Sequence, residues 1–298
     1  MQAMTADLLE NPLVQRVLRA KMKTQQHRQS LKKEDAQQKN LRLERAGIPI
    51  SKCPYGVCDG NGVILNSANE NESASICKCV QDRVNKARYI NANIPERFKM
   101  FTVNSFDCSL YDKKNDAILA CNAKEAAIAY LTHFEENAER GEGLYLHSHT
   151  KGSGKTRLAI SIGNAIMASY GKDVKFVRCL DLLSKVKESY REDSEYSEYQ
   201  ILEEICNIPV LILDEIGVGN ASDSDNKILT RIIENRGTNK KITILTSNCD
   251  IDELPYDERV ISKLKEQARR IKMPEESVRD KVAEQRDRDF GKQVSLLE

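Results

Sequence analysis

The 298-residue chain predicts an α/β fold, a parallel sheet flanked by helices, preceded by a small helical and Cys-rich region. Three observations carry this expectation. A Gly-rich run, Gly152-Ser153-Gly154-Lys155-Thr156, stands between the apolar stretch Leu144-Tyr145-Leu146 and the helix-like Leu158 to Ile162. A nearly unbroken apolar run from Ile208 to Leu213 ends in Asp214 and Glu215, and a third run, over 241–248, ends in Thr246-Ser247-Asn248. Continuous apolarity suits strands covered on both faces, as in a parallel sheet, whose chemistry gathers at the carboxyl ends.

At the N-terminus, residues 7–22 put Leu9, Leu13, Val17 and Ala20 on one helical face, with Val14, Leu18 and Met22 beside it. The stretch to Arg45 is rich in Lys, Arg and Gln. Residues 1–50 therefore read as a helical region without a core of its own, either docked on a partner or solvated. Four of the nine cysteines follow within 53–79. Cys53 and Cys58 precede Gly60 and Gly62, which suit tight turns, and Cys77 and Cys79 complete the set after a hairpin-sized interval. Two close thiolate pairs fit a closed, tetrahedral, structural Zn²⁺ site within 51–88, with the first pair spaced wider and the second narrower than Cys-x-x-Cys. Cys108, Cys121, Cys179, Cys206 and Cys249 are isolated and read as small buried hydrophobes. The Ile94-Pro95 break marks a connector at 89–100 into a larger domain at 101–272.

From Phe101 helices and strands alternate: a helix near 122–139, the strand before the Gly-rich run, a helix at 156–170 and a strand at 174–178. The Gly-rich run follows G-x-x-x-x-G-K-[ST] except at its first letter, where His149 stands in place of Gly. With Gly152 and Gly154 kept, His149 reads as a tolerated variant at the loop entrance. His149, Thr150, Lys151, Gly152, Ser153, Gly154, Lys155 and Thr156 are the candidate ligands of a nucleoside triphosphate. The glycines let backbone N–H groups curl around a phosphate, and the helix N-terminus adds its positive end. Lys155 would neutralise the β- and γ-phosphates, and the Thr156 hydroxyl would hold Mg²⁺. Asp214 would hold the same ion through a water and Glu215 would polarise an attacking water. Asn248, ending the next strand, could reach the γ-phosphate or that water.

The charged, Tyr-rich region 181–207, with Lys185, Lys187, Tyr190 and Arg191, is either a solvated amphipathic helix or a stacking surface for single-stranded nucleic acid. After Asn248 come Arg259 to Leu264, then a basic helix and a polar tail, 273–298. A formal net charge of +1 excludes action by bulk electrostatics and leaves nucleic-acid binding to local patches. With no apolar run near 18 residues and no signal-peptide core, the expectation is a cytoplasmic protein without membrane contact. In a reducing compartment nine cysteines point to metal or burial rather than to disulfides.

These features together resemble the bacterial and phage replicative helicase loaders of the DnaC/DnaI type, which are AAA+ ATPases. The resembling residues are the Cys-rich knuckle, Ile94-Pro95-Glu96-Arg97-Phe98, Gly152 to Thr156, Leu213 to Gly217, Thr246-Ser247-Asn248 and Glu258 to Leu264, spread over about 50–285. The resemblance implies an AAA+ P-loop ATPase using ATP and Mg²⁺, with hydrolysis as a conformational switch. It also implies an N-terminal region that binds a hexameric replicative DNA helicase, self-association through the AAA+ domains, and engagement of single-stranded DNA. In such an assembly a cation from one subunit reaches its neighbour's γ-phosphate. Arg259 matches the first Arg of the family's Arg-x-x-Ser-Arg pattern, whereas Lys263 occupies the second position and lacks the planar fork of Arg. Arg236, expected near the subunit edge, is the third candidate. An IstB-type transposition helper ATPase shares the same core and is the alternative from another class. A nucleotide-binding adaptor without hydrolysis is disfavoured by Glu215 and Asn248.

Overall fold

A computed structural model describes residues 53–295, apart from 59, 61, 67–72, 192, 194 and 195. The amphipathic segment 7–22, with the whole of 1–50, lies outside the described residues. The chain divides into two units, Met1–Ile90 and Asn91–Glu298.

In the first unit β1 (Val63–Asn66) and β2 (Ser73–Ile76) form an antiparallel hairpin, followed by α1 (Lys78–Asn91). Gly62 has φ +84°, and its carbonyl accepts the Cys77 N–H at 2.8 Å. Among the described residues Cys77, Cys79 and Val80 form a buried cluster here, packed by Cys53, Cys58, Ile64 and Val84. A cluster of this size buries too little apolar surface to stabilise a fold unaided.

The second unit is built on a five-stranded, wholly parallel sheet of order β4-β5-β6-β3-β7. Its strands are β3 (Gly143–His147), β4 (Val174–Arg178), β5 (Val210–Ile216), β6 (Ile242–Ser247) and β7 (Ala268–Lys272). The three apolar runs are the three central strands: β3 and β6 are buried throughout and β5 at every position except Glu215. The helices are α2 (Lys114–Thr132), α3 (Phe134–Arg140), α4 (Lys155–Tyr170), α5 (Cys179–Glu188), α6 (Glu198–Asn207), α7 (Asp223–Thr238), α8 (Glu258–Gln267) and α9 (Arg279–Ser295). Helix α4 lies close on the sheet, since a Cβ on Gly163 would come within 2.7 Å of Ile212 Cδ1.

Several local expectations are corrected. The helix expected at 122–139 is two helices, α2 and α3, separated by His133, whose φ of −104° and ψ of 27° break the helical run. The Tyr-rich region is also two helices, and α6 starts afresh at a capping box of Ser197 and Gln200. The basic helix after Leu264 ends at Gln267. The next five residues are β7, which pairs with β3, with Ala268 and Ile271 buried and Arg269 and Arg270 exposed. The isolated cysteines do not share one environment. Cys179 and Cys206 are buried, Cys108 and Cys249 are half-buried, and Cys121 lies on the outer face of α2 beside buried Ala120 and Ala123. Among the described residues no helix is long and apolar enough to cross a membrane.

Candidate functional site

A cavity of about 410 Å³ opens at the carboxyl ends of β3, β5 and β6. The phosphate loop forms one wall, with Gly152 at φ +83° and Gly154 at φ +91°, conformations that glycine adopts without strain. Gly154 is also the N-cap of α4, so the loop's N–H groups and the helix N-terminus face the same space. Lys155 is buried, and its Nζ donates to Thr150 O at 2.8 Å and Ser148 O at 3.1 Å. Burial lowers its pKa to about 8, with nearby Glu275 and Asp214 opposing the shift. The ammonium thus rests on carbonyls of its own loop, partners that a phosphate can replace.

Asp214, 4% exposed, accepts hydrogen bonds at Oδ1 from Thr156 Oγ1 at 2.8 Å and Thr246 Oγ1 at 2.6 Å. Burial raises its carboxyl pKa, and the two hydroxyls work against that rise. A hydroxyl 2.8 Å from a carboxylate suits Mg²⁺, a hard ion that takes oxygen ligands, with neighbouring octahedral positions about 3 Å apart. Glu215 is exposed at the cavity with φ +58°, rare for a non-glycine residue. Asn248, half-buried, lines the same cavity from the end of β6. The fold therefore brings together Lys151 to Thr156, Asp214, Glu215 and Asn248.

His149, Thr150 and Arg259 do not line the cavity. The His149 and Thr150 N–H groups donate to the carboxylate of Glu275, at 3.2 and 3.1 Å, and the exposed His149 ring lies 3.7 Å from Glu253. His149 does not have positive φ, so a side chain is accommodated where the motif has glycine. Arg259 is exposed on α8, its side chain 70% accessible, and is paired with Glu234 at 2.7 Å. Lys263 pairs with Glu266 at 2.9 Å. Arg236 is corrected outright: it is fully buried, donating to Ile205 O at 2.7 Å, Ile208 O at 2.8 Å, Ile242 O and Thr243 Oγ1 at 3.0 Å. A guanidinium that is fully buried and held by four fixed acceptors inside the unit does not reach a neighbouring subunit.

Other lining residues escaped the sequence reading. Arg97 and Phe98 come from the connector, Phe101 from the residue just after it, Phe176 and Arg178 from β4, and Val278, Arg279 and Val282 from the supposed polar tail. That tail folds onto the phosphate loop: Val278 N donates to Gly152 O at 3.2 Å, and a Cβ on Gly152 would meet Ser277 Oγ at 2.6 Å. Val278 and Val282, four apart, are the signal that marks an apolar helical face there.

In the first unit, the sulfurs of Cys53, Cys58, Cys77 and Cys79 all lie within 4.8 Å of one another. Cys53 and Cys77 are 3.6 Å apart and Cys58 and Cys79 are 3.5 Å apart. Tetrahedral Zn–S bonds of about 2.3 Å require S–S separations near 3.8 Å, so the donors fit Zn²⁺. The Cys58 backbone N–H holds the Cys53 thiol at about 6, against the opposing effect of burial. Arg83 donates to Cys79 Sγ at 3.5 Å and Gly60 O at 2.9 Å, tying the Cys79 sulfur, whose pKa burial raises, to the turn that presents the other pair.

Fold and site define an AAA+ P-loop ATP-binding protein. Residues 128–283, just over half of the chain, match the family described as IstB-like ATP binding protein, and the chain belongs to that family. It is similar to the replicative helicase loader DnaC of Escherichia coli K12, with 29% identity over 161 residues, 53% of this chain and 63% of DnaC. The DnaC of Buchnera aphidicola subsp. Baizongia pistaciae is 30% identical over 134 residues, 44% of this chain and 54% of that protein. The chain thus spans less than two thirds of the length of these relatives. Among solved structures it resembles a DnaC helicase loader at 26% identity and TM-score 0.50, covering 60% of this chain and 99% of that one. A DnaI structure, at 23% identity and TM-score 0.50 with 60% and 94% coverage, shares the fold.

Proposed function

We propose that the protein is an ATP-dependent loader that binds a hexameric replicative DNA helicase and helps to set it on single-stranded DNA. The observation that carries the reading is the gathering of Lys155, Thr156, Asp214, Glu215 and Asn248 around one cavity, in a chain similar to DnaC loaders. Mg²⁺, when bound, would neutralise charge developing on the β- and γ-phosphates. Thr156 would ligate it directly and Asp214 through a water. Lys155 leaves the Thr150 and Ser148 carbonyls for the phosphates, Glu215 orients the attacking water, and Asn248 reads the γ-phosphate. The apolar Phe98, Phe101, Val278 and Val282 receive the nucleoside. Arg259, outside its own cavity, serves a neighbouring subunit's γ-phosphate after leaving Glu234.

Tyr190, Tyr196 and Tyr199, all exposed, with Lys185 over the Tyr196 ring at 5.0 Å, suit stacking of bases beside phosphate contacts. The four-cysteine site holds a structural Zn²⁺, and residues 1–50 dock on the helicase. The IstB-type reading shares the ATP-binding core, and the match to DnaC favours the loader.

A helicase-loading assay tests the switch: Lys155→Ala should abolish ATP-dependent loading, and full loading by this variant would refute it. Native mass measurement with a hexameric helicase should show a complex that is lost on deleting residues 1–50. Unaltered binding sinks the docking assignment. Metal analysis should find one Zn²⁺ per chain, absent after Cys77→Ser, with nucleotide binding unchanged.

A further inference from the structure

The register of β5 against β6 shifts between Leu213 and Ile216. Leu213 pairs with Leu245 and Ile216 with Ser247, so Asp214 and Glu215 together oppose the single residue Thr246. This is a β-bulge, which leaves one backbone group without its ladder partner and re-aims a side chain. The hydroxyl of Thr246 occupies the gap. It accepts the Glu215 N–H at 3.0 Å and donates to Asp214 Oδ1 at 2.6 Å, so its one proton and one of its two lone pairs are engaged. Thr246 is 1% exposed, and Glu215 holds φ +58° above it. A left-handed glutamate persists only where its surroundings over-determine it.

We propose that Thr246 is a positioning residue for ATP hydrolysis: its hydroxyl clamps the bulge, holding Glu215 in its left-handed conformation and Asp214 aimed at Thr156. This rests on the ATPase reading above. The hydroxyl acts through two neighbours and touches no reacting atom. Removing it frees the Glu215 backbone to relax toward an ordinary extended strand, which turns the carboxylate away from the cavity. It also leaves Asp214 with Thr156 as the remaining hydroxyl donor to Oδ1.

The test compares the full chain with Thr246→Val, Thr246→Ala, Thr246→Ser and Glu215→Gln. Affinity for a fluorescent ATP analogue is measured with EDTA and with Mg²⁺, and single-turnover hydrolysis is followed with single-stranded DNA present. The EDTA affinity should stay within about twofold in every variant that folds, because the phosphate loop is untouched. In the Val and Ala variants the gain on adding Mg²⁺ should fall about tenfold, and hydrolysis about 10²-fold. Thr246→Ser, which keeps the hydroxyl, should recover both to within about threefold. Val and Ala variants that match wild type overturn the proposal. A Ser variant as slow as Val does so too, since packing rather than the hydroxyl would then matter. A wild-type chain that hydrolyses ATP no faster than Glu215→Gln overturns the ATPase reading instead. In that case a crystal structure of Thr246→Ala decides: loss of the left-handed Glu215 supports the clamp, and its retention refutes it.

Discussion

Lys155 and Arg236 lie at opposite ends of the same sheet, and in both burial lowers the pKa, to about 8 and about 9. Lys155 follows the carboxyl end of β3 and rests on Ser148 O and Thr150 O beside a 410 Å³ cavity. Arg236 sits where β5 and β6 begin, its donors used on Ile205 O, Ile208 O, Ile242 O and Thr243 Oγ1. The difference lies in what could replace the partners. A ligand can take over from loop carbonyls at a cavity wall, whereas the carbonyls ending α6 and opening β6 lie inside the unit, where no ligand reaches Arg236 to replace them. The first arrangement stores a charge for use, and the second joins α6, α7 and β6 into one body.

The largest expected effect separates the two ends. Arg236→Met should cost at least about 3 kcal/mol, since three carbonyls, two of them in buried bonds, lose this charged donor at about 1–3 kcal/mol each. Thermal unfolding would show this as a fall of about 10 °C, and an unchanged midpoint would remove the structural role. Lys155→Ala should behave inversely. Its melting temperature should stay level or rise, while affinity for Mg·ATP falls at least about 10²-fold, which calorimetry would read directly.

The pH dependence sharpens the contrast. Burial lowers the Lys155 pKa to about 8 from the ordinary 10.5, so between those values the unfolded chain binds more protons and stability rises with pH. The penalty is fully present below pH 8. Melting curves of wild type minus Lys155→Ala, taken from pH 7.5 to 10, should climb through that window. Nucleotide affinity should fall over the same range as the ammonium loses its proton. The smallest expected effect is at a third kind of cation. Arg259→Ala removes an exposed pair with Glu234 and should change stability by less than about 0.5 kcal/mol. Its cost should appear only in hydrolysis by the assembled protein, so a large loss of melting temperature would reassign Arg259 to the fold.

Much of the nucleotide site was legible because its parts are local. Gly152 to Thr156 need one loop, and Asp214, Glu215 and Asn248 each end an apolar strand, so spacing alone points to them. The four cysteines were legible for the same reason, although neither pair has standard spacing. Arg236 was misread because its position near the end of a charged helix looks like surface, and only the packing of α6 and β6 against it takes it inside. Val278 and Arg279 were assigned to a tail because Glu and Arg dominate that stretch. Hydropathy averages over the two valines that turn toward the cavity. Residues 268–272, a run of charges, became a strand because β3 offered an unpaired edge.

The sequence by itself determined the class of fold and the short-range constellations. Continuous apolar runs bury themselves on both faces, and the phosphate loop is a property of eight consecutive residues. Only the tertiary structure decided what depends on pairing between distant segments. It made Thr246 the single residue facing Asp214 and Glu215, folded 273–282 onto the loop, and enclosed Arg236. The physical reason is that these outcomes come from strand register and from the backbone acceptors left over after the sheet forms, and neither is written in the identity of any one residue.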